Sequence, residues 1–115
     1  MPVVDKILGQ VAGTNGFAGA YSPLYVVPTS TTNTVCSTIS ICNTASVAAT
    51  YRIGLTASVN TSPALTEHIV YGASVPANDT VFLTLGITLE GGKEVLVASS
   101  ASTVVFNMFG SEKTP

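Results

Sequence analysis

The chain has one histidine, His68, and a carboxylate stands beside it at Glu67. A histidine oriented by a carboxylate is the usual apparatus of a general base. Neighbouring residues on a strand point to opposite faces, so Glu67 cannot orient the His68 ring there, and Asp79 is the other acid to consider. One histidine also leaves no multi-histidine metal site. Asp79, Glu90 and Glu94 fall at turns, and no spacing pairs them as glycosidase-type carboxylates. No serine sits in G-x-S-x-G. The glycines of GTNGFAG (13–19) lack the closing Gly-Lys-Ser/Thr of a phosphate loop, and no helix follows them. EGGKE (90–94) reads as a turn carrying a lysine. These residues predict no catalytic group, no metal and no cofactor.

Cys36 and Cys42 stand six apart and read as sharing one strand face. Extended chain separates them by roughly 20 Å, at about 3.3 Å per residue. That is too far for a disulfide without a turn between them. They read as buried free thiols. Arg52, the one arginine, stands mid-strand among neutral residues. It reads as an anchor for a carbonyl or carboxylate across an interface, or as a stem packed on the sheet with its head in water. Asn60 and Asn78 begin N-x-Thr/Ser triplets, a match weak by chance frequency. A sugar-binding module needs exposed aromatic platforms. There is no Trp, and Tyr51, Phe82 and Phe106 fall in patterns that suit packing. Tyr21 and Tyr25 remain as candidate contact residues, with Arg52.

The 115 residues make one domain, large enough for a core without metal or disulfide. Charged residues are 9% of the chain, against about 25% in an average protein. Sixteen Thr and twelve Ser supply the polarity instead. The net charge of −2, with Lys6, Arg52, Lys93 and Lys113 scattered, argues against a nucleic-acid partner. Mean hydropathy is +0.50, yet no apolar run reaches the ~18 residues of a membrane helix. MPVVDKILGQVAG is too polar for a signal peptide, which places the chain's expected site of action in the cytosol where it is made. A surface so poor in charge suits cover by other subunits; the alternative is a β-domain with a threonine-rich solvent face.

No segment shows a helical period, whereas strands recur about every ten residues with turn signals between them. Residues 6–12 read as a short strand or arm and 13–20 as a Gly-rich loop. Strands follow at 22–28, between two prolines, and at 33–43. In the latter Val35, Ser37, Ile39 and Ile41 should share one face. A turn at 43–45 should make a hairpin with 46–58. After a loop at 59–65 come strands at 66–74 and 81–89, the second with Val81, Leu83, Leu85, Ile87 and Leu89 on one face. Residues 93–100 and 102–112 read as a final hairpin. The prediction is an all-β chain: a two-sheet antiparallel sandwich, Ig-like or jelly-roll, of seven or eight strands. Its second faces carry Thr, Ser, Cys, Gly and Phe where Lys and Glu would be usual, and its edges show few guards beyond prolines.

KILGQVA (6–12), SPLYVVP (22–28), VCSTISICNTASVAATYRI (35–53), VPANDTVFLTLGITL (75–89) and VVFNMFGSE (104–112) occur in an order and spacing that resemble small virion structural proteins of tailed bacteriophages. The likeness is to those of cyanophages and other marine phages and runs from Lys6 to Glu112; GTNGFAGAY departs from it. The resemblance implies a non-enzymatic particle component in many symmetric copies. It would be resident in the virion and assembled in the host cytoplasm. A capsid decoration (cement) protein is the expected role, bound to the major capsid protein or another virion protein as a homo-oligomer, with a trimer favoured. The alternatives are a neck, tail or baseplate accessory and, outside that class, a carbohydrate-binding adhesion module. Residues 1–22 are then expected to form an N-terminal arm and loop ahead of a sandwich domain at 23–115. Val3, Val4, Ile7 and Leu8 would be the arm's apolar anchors on a neighbour.

Overall fold

The computed structural model describes residues 3–12, 21–27, 33–56, 65–90, 92–101 and 103–113; the expected Gly-rich loop at 13–20 and all but the last residue of the loop at 59–65 lie outside them. Among the described residues there are eight strands and no α-helix. The strands are β1 (Val3–Ala12), β2 (Ser22–Val26), β3 (Asn33–Asn43), β4 (Ala49–Thr56), β5 (His68–Val75), β6 (Thr80–Glu90), β7 (Glu94–Ser99) and β8 (Val104–Lys113). A single 3₁₀ turn, Leu65–Glu67, leads into β5.

Two four-stranded antiparallel sheets result, ordered β1-β8-β3-β6 (sheet A) and β2-β7-β4-β5 (sheet B). Their pairing has a simple origin. β1 pairs with β8, β2 with β7, β3 with β6 and β4 with β5, as in one long hairpin bent at β4–β5. Rolling that hairpin up adds β3–β8 and β4–β7. This is the eight-stranded jelly roll, and the Ig-like alternative falls away. The expected hairpins at 33–58 and 93–112 are corrected by the same topology. β3 and β4 lie in different sheets, as do β7 and β8, so their short connections are corners between layers.

Asn43 holds these corners together. Its side chain is buried, and Nδ2 donates to the carbonyls of Val47 (2.8 Å), Val75 (3.4 Å) and Pro76 (3.4 Å). Oδ1 accepts from the Ala45 amide at 3.1 Å and the Thr103 hydroxyl at 3.4 Å. One amide group thus ties the β3–β4, β5–β6 and β7–β8 corners. Backbone bonds from Asn78 to Ala45 and from Thr44 to Thr103 reinforce it.

The core lies between the sheets. Ile39, Ile41, Phe106 and Met108 face inward from sheet A, and Tyr51, Ile53, Val95 and Val97 from sheet B. Tyr51 and Phe106 meet edge-on with centroids 6.2 Å apart. Each such side chain, fully buried, contributes about 1.5–3 kcal/mol.

Strand alternation holds in β8 and β6 but breaks in β3. Ser37 is an extra residue opposite β8, so the register shifts between Cys36 and Thr38. A bulge of this kind moves the residues before it to the other face. Thr34 and Cys36 therefore turn inward with Ile39 and Ile41, and Val35 turns outward, against the expected grouping. For the same reason Cys36 is buried while Cys42 is half-buried on the opposite face, both as free thiols. The expectation of unguarded edges is also corrected. Every edge strand carries an irregularity: β1 between Ile7 and Gly9, β2 between Pro23 and Tyr25, β6 between Thr84 and Ile87, and β5 at Ile69 and Gly72.

Gly9 lets β1 close onto β2, for a Cβ there would stand 1.9 Å from the Leu24 carbonyl oxygen. Gly72 is different: its φ is +79°, with open space around the Cβ position.

Three substitutions test this frame by urea unfolding. Asn43→Ala leaves buried carbonyls without donors and is expected to cost about 1–3 kcal/mol or more. Gly9→Ala must push backbone apart and is expected to cost about 1–3 kcal/mol. Gly72→Ala, with only left-handed strain to bear, should lose the least, about 1 kcal/mol.

Candidate interaction surfaces

Among the outward residues of sheet A, three adjacent rows of four lie toward the Asn43 end, beyond the positions of Val35 and Asn33. They run Ile7–Phe109–Thr38–Thr84, Gln10–Asn107–Ser40–Phe82 and Ala12–Val105–Cys42–Thr80. None of these positions carries a charge. Phe82 is 67% exposed and Ile7 53%, so two large apolar groups stand in water among amide, hydroxyl and smaller or half-buried apolar groups. Phe82, expected to pack inside, belongs instead to this surface. Gln10 donates to Asn107 at 2.7 Å, fixing two of the polar groups in place. Beside the first row, Lys6, Val35, Ser37, Phe109, Gly110 and Ser111 line a depression of about 310 Å³.

The segment expected to be an arm forms an edge strand of this sheet in its described part, because β1 pairs along its length with β8. The bulge divides its anchors. Ile7 faces out, whereas Leu8 turns into the chain's own core and is not available to a neighbour. Val3 and Val4 pair with Lys113 and Glu112, and their side chains lie outside the described part of the structure.

Tyr25 is not a contact residue either. It is buried between the sheets, where its hydroxyl meets Thr34 Oγ1 at 3.0 Å and donates to Glu112 Oε2 in a short bond. The other Glu112 oxygen pairs with Lys6 Nζ at 2.9 Å. β1, β2, β3 and β8 are thereby clasped at the end opposite Asn43. Burial first, then the bond to Glu112, pushes the Tyr25 hydroxyl up to about 12. The bonds from Tyr25 and Lys6 hold Glu112 below the ordinary carboxylate range. Glu94, buried on β7, is raised by desolvation.

Sheet B gathers a second cluster on its outer side. Arg52 pairs with Tyr71 across β4–β5, and its guanidinium carbon lies 4.1 Å over the Tyr71 ring centroid. His68 meets Tyr71 edge-on, with centroids 4.9 Å apart at 90°. Tyr21, from the residue before β2, reaches across so that its hydroxyl is 2.8 Å from His68 Nε2. Gly54, paired with His68, adds no side chain to this face. The structure thus brings together Tyr21 and Arg52 from the sequence reading and adds His68 and Tyr71. Tyr71 was legible only as a strand residue; the signal that finds it is the β4–β5 register, which stacks it on the one arginine.

Asp79 bonds the Thr80 amide in the turn after β5, at the far end from His68, so it cannot serve that ring as a base partner. Where the sandwich opens between β5 and β6, Leu55, Glu67, His68, Leu89, Glu90 and Lys93 help line a cleft of about 370 Å³. Among the described residues no three acid, His or Cys groups stand close enough to hold a metal. No protein-family model matches this chain, and no curated protein matches it.

The clasp has a pH signature. Glu112 is lower in the folded state, so its contribution is complete above the ordinary carboxylate range, about 4.3, and fades as pH falls through the lower folded value. Glu94 acts oppositely: it favours the folded state in acid and loses that contribution as pH rises through its raised value. Urea melts between about pH 3 and pH 8 should show Glu112→Gln with a flatter acid-side loss of stability. Glu94→Gln should gain on the wild type as pH rises through the raised Glu94 value.

Proposed function

We propose that this chain is a non-enzymatic structural subunit held in a larger assembly through the outer face of sheet A. The carrying observation is three contiguous rows without a charge, set with exposed Ile7 and Phe82. An isolated protein of this size benefits from charge on such a face, both for solubility and against self-association. Apolar and hydroxyl contacts suit a surface pressed permanently against another. Bulged edges direct that contact to the face, because an interrupted ladder is a poor template for an added strand.

The resemblance to virion structural proteins of tailed bacteriophages narrows the assembly to a phage particle. Within it the reading is a capsid decoration protein on the major capsid protein, as a homo-oligomer and by preference a trimer. Multivalent seating lets weak single contacts add through effective concentration. Locating the chain in a particle map tests this directly: density over capsid-subunit junctions supports decoration, and density at the neck, tail or baseplate replaces it with an accessory role. Removing residues 1–10 would not be a clean test of an arm, since it strips most of the edge strand β1 from the sheet.

Phe82→Lys is the sharper probe. It puts a charge at the middle row without touching the core. Co-sedimentation with particles should fall by at least about tenfold, or ~1.4 kcal/mol, with the melting temperature unchanged. Occupancy by the wild-type chain should stay nearly flat up to about 0.5 M salt, since few charges are present to be screened. A steep salt dependence, or full occupancy by Phe82→Lys, counts against this face.

A further inference from the structure

We propose that the outer face of sheet B carries a saccharide-binding site centred on Tyr71. The ring stands on an edge strand and is 56% exposed. It is nonetheless held in place: the Arg52 guanidinium lies over it, and the His68 ring abuts it at 90°. His68 is in turn fixed by the Tyr21 hydroxyl at 2.8 Å. An exposed aromatic platform whose orientation is set in advance spares a ligand the cost of ordering it.

Approach is open beside the ring. The bulge at Gly72 turns the strand there, and nothing lies within 4 Å of where a Cβ would be. A pyranose has an apolar C–H face ringed by hydroxyls. Tyr71 offers the flat apolar partner. The Tyr71 hydroxyl offers hydrogen bonds at its rim, while the Arg52 guanidinium lies over the ring and steadies it.

Other ligands fit less well. A nucleic acid needs clustered cations, and this face has one arginine. A peptide strand added to β5 would meet two interruptions of the ladder, at Ile69 and Gly72. One ring with its hydroxyl holds a single sugar residue, so each site is expected to be weak, with Kd on the order of 1 mM. The site lies on the other sheet from the assembly face, and neither proposal depends on the other.

The test is an NMR titration of the full ¹⁵N-labelled chain with the methyl glycosides of glucose, galactose, mannose, N-acetylglucosamine and fucose. At least one should move the amide signals of Arg52, His68, Tyr71 and Gly72 together. Tyr71→Ala should raise its Kd at least about tenfold, as expected for removing an aromatic anchor. Tyr71→Phe, which keeps the platform, should raise it by less than about threefold. Thermal unfolding checks that both variants keep the wild-type fold. If none of the glycosides perturbs this face, or if Tyr71→Ala binds as the wild type does, the proposal is overturned.

Discussion

Backbone amides at the rim of a β-sheet must find partners or be kept from finding the wrong ones, and that constraint organises this molecule. Rolling one long hairpin into two sheets pairs most of the ladder but leaves β1, β6, β2 and β5 as edges. Charge is the common guard, and the chain has little. It relies on extra residues instead: Leu8, Leu24, the Leu85–Gly86 step, Ile69 and Gly72 each interrupt an edge. An interrupted strand twists away from a would-be partner. With edges disfavoured, the faces are the uninterrupted surfaces of the molecule.

The two ends of the sandwich are closed by different chemistry. At one end a single neutral side chain, Asn43, satisfies backbone groups from two corners and accepts from the Thr103 hydroxyl of the third. At the other, Tyr25, Thr34, Glu112 and Lys6 form a clasp that includes one of the few charge pairs of the fold. Buried polar groups specify a structure only when their partners are present. Here they fix where strands change sheets, which apolar packing alone would leave loosely determined. The long sides differ as well. Gly9 allows β1 to close onto β2, while the β5–β6 side stays open as a cleft.

The two outer faces have diverged. Sheet A presents three adjacent neutral rows with exposed aromatic and aliphatic groups. Sheet B concentrates an arginine, a histidine and two tyrosines in one cluster, with an oriented ring at its exposed side.

The fold class could be read in the chain because a period of two, frequent β-branched residues and regular turn signals leave little but antiparallel sheets. Its shortage of charge likewise announced a neutral surface; that Val104, Phe106 and Met108 make the inward face of β8 was decided by the fold, since both faces of that strand are largely apolar. The layer each strand joins was not legible, since a corner between sheets and a hairpin turn use the same few residues. Nor were the bulges at Leu8, Ser37 and Gly72, because an extra residue exists only relative to the strand beside it. Those bulges decided that Leu8 and Cys36 point inward, and register decided that Tyr71 meets Arg52. Alternation is a local property that residue order carries, whereas register between distant strands is set only when the whole ladder closes.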